Sequence, residues 1–164
     1  MNMDITENWP ALKRLFRASF NSSFHYAIAS VKESGEPHVT PIGSLILDRP
    51  GHGYYFEEFT QQMAKNFSHN PQVCVLAVNS DRWYWLKSLF AGRFKSPPAV
   101  RLLGTVGEPR AATEEEIARW QRHVRPLRFT RGHKLLWRNM KRVREIHFHR
   151  IEVVKIGRMT QGAW

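Results

Sequence analysis

Histidines, adjacent carboxylates and one thiol are the residues of this chain whose types and spacing lend themselves to chemistry. His147 and His149 lie two apart, so on a strand both point to one face and form a possible metal pair. No third ligand stands near them in sequence, and surface histidines are the plainer reading. Glu57 and Glu58 are neighbours on an expected strand and face opposite sides, so they do not make a catalytic carboxylate pair. Cys74 is the single cysteine and lies within the apolar run Val73 to Val78, where a thiol is usually inert. It excludes an intrachain disulfide and a cysteine-based zinc site. There is no G-x-S-x-G, no P-loop and no G-x-G-x-x-G after a strand. His38 is a candidate acid or base only through its location on an expected strand.

Charge is the unusual total. The 164 residues carry 25 Lys and Arg against 14 Asp and Glu, a net +11. Residues 1–79 hold 6 basic and 7 acidic side chains, whereas residues 80–164 hold 19 basic and 7 acidic ones. Such a half invites a polyanion, an acidic membrane surface or phosphorylated small molecules. Ten basic side chains fall within residues 119–144: Arg119, Arg122, Arg125, Arg128, Arg131, Lys134, Arg138, Lys141, Arg142 and Arg144. With Trp120, Phe129 and Trp137 among them, a nucleic-acid grip through phosphates and stacking is the alternative function, although no nucleic-acid motif accompanies it. No apolar run approaches the ~20 residues that span a bilayer, and the N-terminus is acidic and polar, unlike a signal peptide. A cytoplasmic protein without membrane association is the expectation.

The elements that must position these groups read as one domain over residues 1–164. Leu12, Leu15, Phe16 and Phe20 share one helical face over Trp9 to Phe20, with Asn8 or Trp9 at the cap and Pro10 in the first turn. Strand signals follow at Phe24–Lys32, Pro37–Leu47, Tyr54–Phe59, Gln72–Asn79, Ala99–Glu108 and Glu145–Ile156, the first two joined by the turn Glu33-Ser34-Gly35-Glu36. Thr60 opens a short helix, Gln61 to Phe67. Residues 81–98 form an aromatic, basic insertion with room for a short helix. Thr113 with Glu116 makes a capping box for a helix whose stripe is Ile117, Trp120 and Val124. The region 111–144 reads as helical, with Leu135, Leu136, Met140 and Val143 at helical spacing, and residues 145–164 as the last strand and tail. Short strands with tight turns favour a mainly antiparallel β fold over βαβ units.

The order of these segments resembles the pyridoxamine 5′-phosphate oxidase-like, FMN-binding split-barrel family. The resemblance rests on the hairpin Ala27 to Val31 and Gly35 to Gly43, on Tyr54-Tyr55-Phe56, and on Ala64-Lys65-Asn66-Phe67 with Asn70-Pro71. It continues through Val73 to Leu76 and Arg101 to Val106, and more loosely through the closing strand. It implies a six-stranded antiparallel Greek-key split β-barrel that forms homodimers, with flavin at the subunit interface and oxidoreductase activity on an unknown small molecule, an anionic one being among the candidates. By position, the implied cofactor contacts are Thr40, Pro41 and Ile42, then Phe56, Glu57 and Phe59. The turn Thr60-Gln61-Gln62-Met63 and Lys65 would lie near the phosphate, where a helix N-terminus favours an anion. No catalytic acid or base is implied.

One departure stands out. Members of that family usually carry a basic pair where this chain has Gln62 and Met63. Lys65, or Arg82 or Lys87 of the partner subunit, would then supply the charge. Otherwise the pocket takes a deazaflavin, haem or nothing. Trp83-Tyr84-Trp85 of the insertion is a candidate lid over the ring, or else a surface loop packed on the barrel or the dimer mate.

Overall fold

The computed structural model describes residues 3–163. Seven antiparallel strands form one sheet: β1 (Tyr26–Val31), β2 (Pro37–Ile42), β3 (Leu45–Leu47), β4 (His52–Phe56), β5 (Gln72–Val78), β6 (Ala99–Ala111) and β7 (Arg142–Val153). Their order is β2-β1-β5-β6-β7-β4-β3. The two terminal strands, β2 and β3, are consecutive in sequence and separated only by Gly43 and Ser44. Three Cα steps of ~3.8 Å span at most ~11 Å, so the far ends of the sheet must nearly meet. The sheet is thereby curled into a split barrel, as the resemblance implies.

The strand count is seven rather than six, because the expected strand Pro37–Leu47 breaks at this corner. A Cβ on Gly43 would lie 2.8 Å from the Phe24 carbonyl oxygen, so only glycine passes there without displacement. Ser44 then takes over the work of a ladder. Its hydroxyl donates to the Phe56 carbonyl at 3.1 Å and accepts from the Phe56 N–H at 3.2 Å, tying the corner to β4.

Helix α1 (Ile5–Ser23) packs Trp9, Leu12, Leu15, Phe16 and Phe20 into the barrel core. It begins four residues before the expected start, because Asp4 caps it through a 2.8 Å bond from the Glu7 N–H. Pro10 is therefore an exposed interior residue rather than a first-turn one. The Trp9 indole donates to the Asp48 carbonyl, and the Ser19 hydroxyl accepts from the Val78 N–H, fixing the helix across the sheet.

Helix α2 is Gln61–His69 and α3, within the insertion, is Arg82–Ala91. Strand β6 runs past Gly104 and Gly107 as a bulged strand, with register shifts beside both. A Cβ on Gly104 would lie 2.3 Å from the His147 carbonyl oxygen, so the strands approach too closely there for a side chain. The capping box forms as expected at the head of α4 (Glu114–His123). Arg110 adds to it, binding Glu116 through its two terminal guanidinium nitrogens, and holds that carboxyl below its ordinary range.

Beyond α4 the helical reading fails. A 3₁₀ turn (Arg125–Leu127) and the six-residue α5 (Arg131–Leu136) replace a long helix, and Arg142 to Arg144 already belong to β7. Tertiary pairing wins over the apolar spacing. Val143 lies opposite Phe56 and Arg144 opposite Tyr55 in the β4–β7 ladder, while Leu135 and Leu136 are left exposed. Strand β4 also ends at Phe56 rather than Phe59, since Glu57 and Glu58 turn aside to bind the start of β7.

Two outcomes follow from these bonds. Ser44→Ala strands a buried N–H and a buried carbonyl of Phe56, and urea unfolding should show a loss of ~1–3 kcal/mol. Glu116 is stabilised in its charged form, so its contribution is complete above the unfolded carboxylate range and is lost as pH falls through the depressed folded value. Urea midpoints taken from pH 7 down to pH ~3 should therefore drop below pH ~4.3, and Glu116→Gln should make that acid limb shallower.

Candidate functional site

Strand β2 ends the sheet, so one side of its backbone has no ladder partner. The start of α2 and the end of β4 face it across the Gly43–Ser44 corner. Pro41, Ile42, Phe56, Phe59 and Thr60, all expected site residues, line one cleft of about 110 Å³ together with Gly43 and Ser44. Leu136, Trp137 and Met140 close its remaining wall, and sequence reasoning did not anticipate them. They arrive from the segment after α5, whose path depends on β7 starting early.

Two of the expected contacts serve the core. Ile42 and Phe56 are 4% and 2% exposed, and the Phe56 ring packs 6.0 Å from the Trp120 ring. The main-chain groups of Phe56 are both taken by the Ser44 hydroxyl, and Ile42 lies opposite Tyr26 in the β1–β2 ladder, so both residues serve as apolar backing. Phe59 is the opposite case, 67% exposed at the mouth.

Thr60 is the more telling residue. It stands at the N-cap of α2, yet its hydroxyl makes no capping bond and is buried without any hydrogen-bond partner. No acidic side chain occupies the first turn of α2. A helix N-terminus with free N–H groups and an orphaned hydroxyl beside it is suited to an anion.

The rest of the expected set divides. Gln61 and Lys65 are exposed on α2, while Met63 is wholly buried in the core, so its side chain cannot meet a phosphate. Gln62 starts a polar chain that connects α2 to β2. Its amide donates to Asn66 at 2.8 Å, and Asn66 donates to the Ser30 hydroxyl at 2.9 Å. Longer contacts of 3.5 Å and 3.4 Å join Ser30 and Thr40 to Nδ1 of His38. Ser30 and Asn66 are 2% and 1% exposed. Neither was singled out from sequence, although a polar residue within the otherwise apolar face of β1 was a visible signal.

Glu57 is committed elsewhere. Its carboxylate receives two guanidinium N–H bonds from Arg144 and one hydroxyl bond from Tyr55, all buried. Arg144 also donates to the Gly107 carbonyl at 3.0 Å, which locks β4, β6 and β7 together. Burial and the neighbouring Glu57 charge push the Tyr55 phenol above its ordinary range. Glu58 likewise binds main chain, accepting from the N–H groups of Lys141 and Arg142.

The aromatic insertion folds on itself. Tyr84 donates to the Ser96 carbonyl, Trp85 donates to the Asn79 carbonyl, and both rings pack on Phe94. None of its residues lines the cleft within this chain. Trp83, Leu86, Leu89 and Phe90 remain exposed on α3. His147 and His149 are exposed on β7, and His147 stacks on His52 at 4.8 Å. Among the described residues, no three His, Cys, Asp or Glu side chains gather closely enough to hold a metal ion, and no helix is long and apolar enough to cross a membrane.

Solved structures with this fold include an FMN-binding protein from Syntrophomonas wolfei, 15% identical, with a TM-score of 0.58 over 93% of this chain and 95% of that one. An F420 reductase is 12% identical, with a TM-score of 0.55 over 84% and 95% of the two chains. HutZ, the haem storage protein of Vibrio cholerae, is 15% identical, with a TM-score of 0.52 over 92% and 95%. At these identities the likeness is one of fold. No curated protein sequence matches the chain. The sequence pattern of the pyridoxamine 5′-phosphate oxidase family matches residues 12–155, nearly the whole described fold. The chain belongs to the pyridoxamine 5′-phosphate oxidase-like family of split-barrel proteins.

Proposed function

We propose that the chain binds FMN between β2 and the start of α2 and acts as a flavin-dependent oxidoreductase on a small anionic substrate. The observation that carries this reading is the buried, unpartnered Thr60 hydroxyl at the head of α2, beside the open edge of β2. The donors present fit a phosphate there. The N–H groups at the start of α2, Thr60 and the Gln62 amide all donate, and Lys65 stands one turn further along. FMN, when bound, supplies hydride or electron transfer through its ring. The chain's own part is to bind, orient and keep water out. Pro41, whose carbonyl is on the open side of β2, offers it to the ring edge, while Ile42, Phe56, Trp137 and Met140 make the apolar backing.

The reading includes a homodimer. Small-molecule sites usually enclose ~300–1,000 Å³, well above the 110 Å³ of the cleft in one subunit. Val39 and Phe59, 62% and 67% exposed beside the cleft, offer apolar surface on which a second copy would complete the walls. Similarity of fold to an FMN-binding protein, an F420 reductase and a haem storage protein makes deazaflavin and haem the competing ligands. The nucleic-acid alternative has less support. Trp120 is wholly buried and Trp137 half-buried, so Phe129 alone of the three interleaved aromatics stands clear for stacking.

Titration of the purified protein with FMN, a deazaflavin and haem, followed by flavin fluorescence and visible absorbance, should give saturable quenching with FMN at one site per subunit. A protein that leaves FMN fluorescence unchanged sinks the reading. Gln62→Arg should tighten FMN at least tenfold, by restoring a charge-assisted phosphate bond worth ~1.5–3 kcal/mol. Thr60→Val should do two opposite things. Removing the orphaned hydroxyl should raise the unfolding free energy of the FMN-free protein by ~1 kcal/mol, while FMN affinity falls about fivefold.

A further inference from the structure

A second depression, about 440 Å³ in volume, lies between α1 and α4 over β3, and it shares no lining residue with the cleft. Its floor is apolar: Phe16, Tyr26, Leu45, Ile46 and Leu47, each at most 8% exposed. Its rim is cationic. Lys13 and Arg17 come from consecutive turns of α1, and Arg119, Arg122 and His123 from the last turns of α4. Four permanent cations thus converge on one concave surface.

Their counter-charge is a single carboxylate. Arg119 binds Asp48 at 2.6 Å and also donates to the Leu47 carbonyl, so it is part of the frame. Among the described residues, Lys13, Arg17 and Arg122 make no ion pair. Like charges held together in this way repel one another. Beside these cations, burial and then the nearby Arg17 charge lower the His123 imidazole below its ordinary range. The ring packs 4.4 Å from the Phe20 ring and 5.7 Å from the Trp120 ring.

We propose that this depression is a binding site for a phosphate monoester carried on a compact apolar or aromatic body. The charge selects a phosphate over a carboxylate. A phosphate monoester carries about −1.5 to −2 at neutral pH and presents several acceptor oxygens, which matches unpaired Arg17, Arg122 and Lys13 better than one carboxylate does. Guanidinium groups bind such oxygens in a bidentate fork. The size and the apolar floor favour an organic ester over the inorganic ion, because a lone phosphate at the cationic rim would fill only part of the 440 Å³ depression. The volume falls within the range of small-molecule sites. The concave shape also disfavours a polynucleotide, whose backbone needs an extended basic track.

Phenyl phosphate is a suitable probe, with inorganic phosphate and phenol as its two halves. Calorimetry on the purified full-length protein should give one site for phenyl phosphate, at least tenfold tighter than for either half, weakening as salt is raised. Arg17→Ala and Arg122→Ala, both exposed and outside the frame, should each weaken binding at least fivefold without changing the circular dichroism spectrum. Thr60→Val, in the separate cleft, should leave phenyl phosphate binding unchanged. The outcome is therefore independent of whether FMN binds. Three results would overturn the proposal: affinity unchanged in the Arg17→Ala/Arg122→Ala double variant, inorganic phosphate binding as tightly as the ester, or a single-stranded oligonucleotide displacing the ester through the same arginines.

Discussion

The architecture hangs on a closure constraint. Two strands that are neighbours in sequence occupy opposite ends of a seven-stranded sheet, and only Gly43 and Ser44 join them. A nearly flat sheet cannot meet that condition, so every strand between must share the curl. The corner is held by a missing side chain and by a present one. Gly43 lets the backbone pass Phe24, and Ser44 serves both polar groups of Phe56. Phe24 itself takes a left-handed conformation at φ 60°, the one such non-glycine residue among those described, where α1 turns into β1. The same corner sets the floor of the cleft, which places the candidate site at the seam of the barrel.

A second set of bonds keeps the seam from opening. The buried Glu57–Arg144 pair, with the Tyr55 hydroxyl and the Gly107 carbonyl, ties the β4–β7 junction with four hydrogen bonds. Removing one partner of such a pair leaves an unpaired buried charge, which is costly, whereas the intact pair contributes modestly to stability. Its value here is geometric. It fixes the end of β4, and with it the turn that carries Phe59 and Thr60 to the head of α2. The polar chain from Gln62 through Asn66 and Ser30 towards His38 fixes the other side of that helix against β1 and β2.

The two concave sites divide the charge of the chain between them in an uneven way. The cleft has polar donors and one exposed lysine nearby, whereas the depression over β3 has four permanent cations and a histidine. Most of the ten basic residues of 119–144 stand in solvent, but the two that are tied down, Arg119 and Arg144, hold structure rather than ligand. Net charge alone was silent on that distinction, because it depends on which carboxylate each arginine meets across the fold.

Local rules sufficed for much of this protein. The capping box at Thr113, the turn at Gly35, the strands β1 and β5, and the apolar stripe of α1 each depend on residues close together in the chain, and all appear as read. The order of the strand motifs also pointed to the split barrel. What local spacing missed was decided by partners far away in sequence. Leu135, Leu136, Met140 and Val143 have helical spacing, yet the ladder with β4 and the bonds from Glu57 and Glu58 draw residues 141–144 into a strand. Glu57 reads as a ligand contact until Arg144, 87 residues away, claims it. The side chains that wall the cleft and ring the basic depression come from opposite ends of the chain, and only the closing of the sheet brings them within reach of one another.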